Sequence, residues 1–176
     1  MAVKEIITWP NESLLLEAIN IDDQADADAT GVLIEDLIDT MVHTNGLGLA
    51  APQIGYDKNI CVIDSKKIEE AEGVRVSKGD YLVMINPKIV DGFGELVSVE
   101  GCLSIPGELF HVQRAKVIWV DYLDESRNSM SKSFDGLAAL VVQHEVDHLN
   151  GITLAEKASL DRRKEIVVNR RHLLST

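Results

Sequence analysis

A chain of 176 residues with 45% hydrophobic and 26% charged content has the composition of one globular unit that can bury a core, and residues 1–176 read as a single domain. The formal charge of −12 argues against broad binding to nucleic-acid phosphates, and two cysteines, Cys61 and Cys102, are too few for a disulfide framework. No stretch approaches the ~20 consecutive apolar residues of a membrane span, so a soluble, cytoplasmic protein is expected.

In chain order, Asn11-Glu12-Ser13 before Leu14-Leu15-Leu16 resembles a capped first helical turn. Asp28 or Thr30 is placed to cap a longer helix in which Leu33, Ile34, Leu37, Ile38, Met41 and Val42 form one apolar stripe, ended by Asn45-Gly46. Residues 46–55, rich in Gly and Ala with Pro52 opposing helix at Ala51, read as irregular or extended. Short runs of β-branched and aromatic residues at 60–64, 81–86, 95–100 and 116–123 indicate mostly antiparallel strands, and the charged segment 65–80 reads as a loop. Residues 136–150 read as a helix, with Leu137, Leu140, Val141, His144 and His148 on one face and Gly151 just past its end. A last, basic helix is expected from about 159 to 173. The class is α+β, with mostly antiparallel strands packed around a central helix and a helical tail over 156–176.

His144-Glu145-Val146-Asp147-His148 is an H-E-x-x-H sequence. Residues four apart on a helix are neighbours, so both imidazoles reach one cation, while Glu145 lies about 100° around the helix, near a metal without having to ligate it. A helix with two ordinary histidines and a solvated glutamate would share the pattern. Its position on the apolar face favours the metal.

An active metal site needs a third ligand and an open position. The pattern H-E-x-x-H-x-x-G-x-x-H is excluded, because Gly151 is in register but Leu154 stands where the last His belongs. Glu165 sits among Arg162, Arg163 and Lys164 on what reads as a solvated face. Cys102 is the better candidate: Glu100-Gly101-Cys102-Leu103-Ser104 sets a thiolate beside glycine at a strand end. A Cys-His-His set suits Zn²⁺ or Fe²⁺ over Mg²⁺ or Ca²⁺. Cys61, between Ile60 and Val62, reads as a buried small hydrophobe, and His43, His111 and His172 as ordinary residues.

Three segments together resemble the signature motifs of the peptide deformylase family: Gly46-Leu47-Gly48-Leu49-Ala50-Ala51-Pro52-Gln53, Glu100-Gly101-Cys102-Leu103-Ser104, and Gln143-His144-Glu145-Val146-Asp147-His148-Leu149-Asn150-Gly151. The resemblance runs from about residue 8 to 155. It implies Cys102, His144 and His148 as ligands of one divalent transition metal, Fe²⁺ in the family with Zn²⁺ also compatible. It further implies removal of the N-formyl group from formylmethionyl nascent polypeptides by a metal-activated hydroxide. Glu145 would be general base and acid, with oxyanion contacts from the Gln53 side chain and the Leu103 backbone N–H. By the same analogy Leu137, Leu140, Val141 and His144 line the methionine pocket. The small residues Gly46, Gly48, Ala50 and Ala51 would admit a peptide backbone, although a tight connection would look alike, and Glu100 with Arg114 would orient a ligand imidazole, whose second N–H usually has an acceptor. The competing readings are a general zinc metallopeptidase and a non-catalytic, metal-stabilised binding module.

Two departures stand out. The loop 107–111 lacks the basic residue that some bacterial relatives place beside the substrate backbone, and 65–80 is longer than in short family members. The segment 157–176 carries six Lys or Arg against two acids. Related bacterial enzymes suggest ribosome docking for such a tail, although a solvated face would look alike. The resemblance also leaves an organellar or virus-infected-cell setting open.

Overall fold

Period-two alternation in the strands sorts apolar residues onto two opposite faces of one sheet. In β2 (Ile60–Asp64), Cys61 and Ile63 enter one apolar cluster while Ile60 and Val62 enter another. The neighbouring β3 (Tyr81–Cys102) divides in the same way, with Leu82 and Met84 to the first cluster and Val83 and Ile85 to the second. A strand buried on both faces reads as a continuous apolar run, as 60–63 does.

The sheet is an antiparallel meander of five strands: β1 (Gly48–Ala50), β2, β3, β4 (Ile105–Leu123) and β5 (Ser129–Asp135). The second cluster lies beneath α1 (Ala27–His43), whose Leu33, Ile34, Leu37 and Met41 are buried in it. The first cluster lies beneath α3 (Gly136–Leu149), through Ala138, Ala139, Val142, Val146 and Leu149. Helices thus cover both faces, and the expected α+β class holds. This is the structure of residues 2–22 and 27–158 in a computed structural model. The basic tail expected to form the last helix, with its ribosome contact, falls almost wholly on 159–176, outside the described residues. Among the described residues no helix is long and apolar enough to cross a membrane.

Several elements differ from the sequence reading. Segment 65–80 is not all loop: Ser65–Glu72 form α2, capped by Asp64, whose side chain accepts the Lys67 N–H at 2.8 Å. The runs at 81–86 and 95–100 are parts of one strand, β3, which bends through register shifts against β4. β5 is an additional strand. α1 starts before Asp28 and Thr30, so both lie inside its first turn or just beyond rather than capping it, and Val42, half a turn around the helix from Leu33, is exposed. The short turn Glu12–Leu15 is a 3₁₀ helix, with Asn11 Oδ1 accepting the Ser13 N–H at 3.0 Å.

The feature that shapes the site is a break in the β3–β4 ladder. Glu100 pairs with Phe110 and Cys102 with Ile105, so the single residue Gly101 faces four on β4, 106–109. The surplus stays within β4 as an irregularity of the ladder, so residues 107–111, expected from the sequence as a loop, lie in a strand.

Candidate active site

Cys102 ends β3 and its Sγ lies 3.2 Å from Nε2 of His148, which is buried on α3. The ligand atoms of Cys102, His144 and His148 all lie within 4.8 Å of one another. His144 sits one helical turn from His148, with ring centroids 5.0 Å apart. Its Nδ1 is 3.0 Å from Glu100 Oε2, which leaves Nε2 to face the other two donors. A carboxylate behind a histidine in this way fixes its tautomer and raises its basicity toward a cation.

Glu100 is fixed in turn. Arg114 on β4 donates from Nε to Oε1 and from Nη2 to Oε2, both at 2.8 Å, and Ser98 Oγ also donates to Oε1. The guanidinium is buried, and its Nη1 reaches Asp147 on α3, whose other oxygen accepts from Lys157 at 3.1 Å. Burial works against ionisation of Glu100, but Arg114 and His144 hold its carboxyl well below the usual range. Asp147 was not among the residues singled out from the sequence, although its offset of three from His144 sets it on a neighbouring part of the helix face.

The donor set fits a divalent cation. Burial lowers the pKa of His144, yet the Cys102 thiol and Glu100 prevail and push it up to about 10, so the pocket attracts positive charge at this point. Burial drives His148 the other way, well below its ordinary value. His148 Nδ1 and Glu145 Oε2 are buried polar atoms with no hydrogen-bond partner, groups that ordinarily demand one. Burial first, with the Glu100 charge as a further cause, raises the Glu145 carboxyl to about 7.

Gly48 of β1 leaves the space that Glu145 occupies. A Cβ at 48 would fall 2.8 Å from Cδ and 2.9 Å from Cγ of that side chain. Gln53, buried in the 3₁₀ helix Ala51–Ile54, accepts the Ala50 N–H on Oε1 at 2.9 Å. Its Nε2 is directed to Ser104 Oγ at 3.2 Å and Cys102 Sγ at 3.7 Å. Leu103 lies in the two-residue turn joining β3 to β4. The N-terminal segment pins both supports, since the Ile7 N–H donates to the Gln53 carbonyl and the Trp9 N–H to that of Ser104, each at 2.8 Å. Gln143 locks α3 to the sheet through both backbone groups of Ala115, at 2.9 Å each.

Gln53, Glu100, Cys102, Leu103 and His144 border one cavity of about 660 Å³. Gly46, Gly48, Leu137, Leu140 and Val141 line it together with Glu145, and so do residues 106–109 of β4. Cys61 lies away from it in the core, where burial and then the charge of Glu145 push its thiol well up. His43 and His111 are exposed, and His172 lies outside the described residues.

A Cys-His-His donor triangle at a cavity wall, with an inward-facing glutamate beside it on an α+β scaffold, defines the class: a hydrolase whose site is suited to a divalent transition metal. Comparison with known proteins narrows it. The profile of the family described as Polypeptide deformylase matches residues 3–164. The peptide deformylase of Thermodesulfovibrio yellowstonii is 39% identical over 159 residues, covering 90% of this chain and 91% of that protein. A crystal structure of a peptide deformylase from Legionella pneumophila superposes with a TM-score of 0.78 at 34% identity, covering 98% of each chain. The enzyme from Acinetobacter baumannii, solved bound to Met-Ala-Ser, gives a TM-score of 0.78 at 30% identity, covering 89% of this chain and 98% of that one. The chain belongs to the polypeptide deformylase family, enzymes that remove N-formyl groups.

Two substitutions test this construction. Glu100→Ala strips His144 of its carboxylate and is expected to weaken metal affinity about 10–100-fold in competition with a chelator, and unchanged affinity would contradict the coupling. Gly48→Ala forces Glu145 aside, so turnover is expected to fall about 100-fold or more while metal content stays stoichiometric. Wild-type turnover in that variant would show that the close approach has no bearing on the reaction.

Proposed function

We propose that this chain hydrolyses the N-formyl group of peptides beginning with formylmethionine, as expected of nascent polypeptides, and releases formate. The observation that carries the reading is the Glu145 carboxylate, buried and with Oε2 unpartnered, facing the cavity beside three convergent metal donors. Cys102, His144 and His148 would hold the metal, Fe²⁺ on the family resemblance and Zn²⁺ equally on donor chemistry. Once bound, such an ion supplies Lewis acidity and lowers the pKa of water from about 15.7 to about 7.

The remaining work belongs to the chain. Glu145 accepts the proton of the attacking water and delivers it to the departing amine nitrogen, a base-then-acid role that needs a carboxylate free of other partners. The Gln53 amide and the Leu103 backbone N–H donate to the formyl oxygen as negative charge builds there, and one such donor is typically worth about 3 kcal/mol. Leu137, Leu140 and Val141 offer the methionine side chain an apolar wall, while Gly46 and Gly48 admit the peptide backbone. Glu100 and Arg114 orient His144 throughout. The Met-Ala-Ser bound to the Acinetobacter enzyme is what such a reaction leaves behind on a deformylated peptide, which supports the substrate class.

Formate release from formyl-Met-Ala-Ser is the direct test. Chelation abolishes it, and Glu145→Ala retains the metal but loses at least about 100-fold in kcat, the usual scale for a missing general base. Cleavage of internal peptide bonds without formate would support a general metallopeptidase instead. A loaded protein inert toward both substrates would leave only a metal-stabilised binding module.

A further inference from the structure

The charged stretch after β2 folds into α2, and each end of that helix reaches a wall of the cavity. At one end Lys67 Nζ donates to the Gly46 carbonyl at 3.0 Å and pairs with Asp64 Oδ2 at 3.6 Å. At the other, Glu72 accepts the Leu137 N–H on both carboxylate oxygens, at 2.9 and 3.0 Å. Between them, Ile68 is fully buried in the apolar cluster that also contains Ala138 and Ala139 of α3.

Three observations single out Glu72. Asp135, the residue before α3, makes no capping bond with its side chain, although the first turn of any helix has N–H groups in need of acceptors. A glutamate in the last turn of its own helix opposes that helix's dipole, whereas the same charge at the start of α3 complements it. Gly136 has φ +54°, and a Cβ there would stand 2.6 and 2.9 Å from the Glu72 oxygens, so the backbone ahead of Leu137 is built for the carboxylate to close in.

Gly46 and Leu137 line the same cavity, so one helix bonds the backbone at two of its lining positions. We infer that α2 is a brace across this pocket, and that Glu72 and Lys67 are positioning residues that set which N-terminal side chain it admits. The inference rests on the proposed function, because it assigns the determinants of that site's selectivity. Releasing the Leu137 N–H frees the first turn of α3 to fray and shifts the wall that Leu137 supplies. Releasing the Gly46 carbonyl loosens the lining segment that carries it. Glu72 is exposed, so removing its carboxylate empties no core space.

The test uses the full metal-loaded chain and formyl tripeptides that differ only in their first residue: Met, norleucine or Phe. For Glu72→Ala the expected result is a rise of about five-fold in KM for the Met peptide, the scale of one lost helix cap, with kcat held within about two-fold and Met-over-Phe preference reduced. Glu72→Gln, which keeps an acceptor oxygen, restores the preference, and Lys67→Met shifts it in the same direction as Glu72→Ala. A role in stability alone would lower the yield of folded enzyme and leave the preference intact, and that outcome overturns the inference. Exchange of the Leu137 amide gives a readout independent of turnover. It is expected to speed up about ten-fold in Glu72→Ala, and equal exchange also overturns the brace. If wild-type protein releases no formate, the proposed function fails while the exchange measurement still decides on the brace.

Discussion

Arg114 ties the strand that carries Cys102 to the helix that carries both histidines. Its guanidinium is buried between Glu100 on β3 and Asp147 on α3, so one cation spans the junction where sheet and helix must meet. Taking a guanidinium out of water is costly, and two carboxylates with matched geometry offset that cost. Removing one partner leaves an uncompensated buried charge, typically a loss of about 3–5 kcal/mol, which is why such a junction tolerates little sliding. Because Glu100 also holds His144, the contact that fixes the helix against the sheet fixes the imidazole as well.

The sheet makes this junction rigid by being covered on both faces. α1 and α3 each take one set of alternating residues from β2 and β3, so α3 is held by packing on the face away from the cavity. That packing lets α3 place Gln143, Glu145 and His148 among buried residues, an arrangement unfavourable for a helix unless each polar group has a task. Gln143 bonds the sheet backbone, and His148 approaches Cys102. Glu145 is left with an oxygen facing the cavity, close against a glycine that makes room for it. The break in the β3–β4 ladder at Gly101 falls beside Cys102, and the surplus residues 106–109 of β4 line the cavity.

The sequence displayed those parts of the site in which spacing carries the information. His144 and His148 share a face because four residues make about one helical turn, and the runs at 60–64 and 136–150 announce themselves by apolar pattern. α2 leaves no mark in the pattern because Ile68 is its one buried apolar side chain amid Lys and Glu, too sparse to show a period. β5 leaves none for a similar reason, with Phe134 alone buried in a run of serines. One arm of the long hairpin is interrupted in sequence by Asp91, Gly92 and Gly94, residue types poor in strands, which here lie within a bent strand paired to β4. Asp147 and Glu72 depend on where side chains from distant segments point, and no local spacing reveals that.

The proposed chemistry requires one thiolate and two imidazoles around a single metal ion. X-ray absorption at the edge of the bound metal, on protein purified without air, measures it most directly. One sulfur scatterer at about 2.3 Å and two imidazole nitrogens at about 2.0–2.1 Å are expected for the zinc-loaded form, with the sulfur lost in Cys102→Ser. A spectrum of nitrogen and oxygen scatterers alone in the wild-type protein would contradict it.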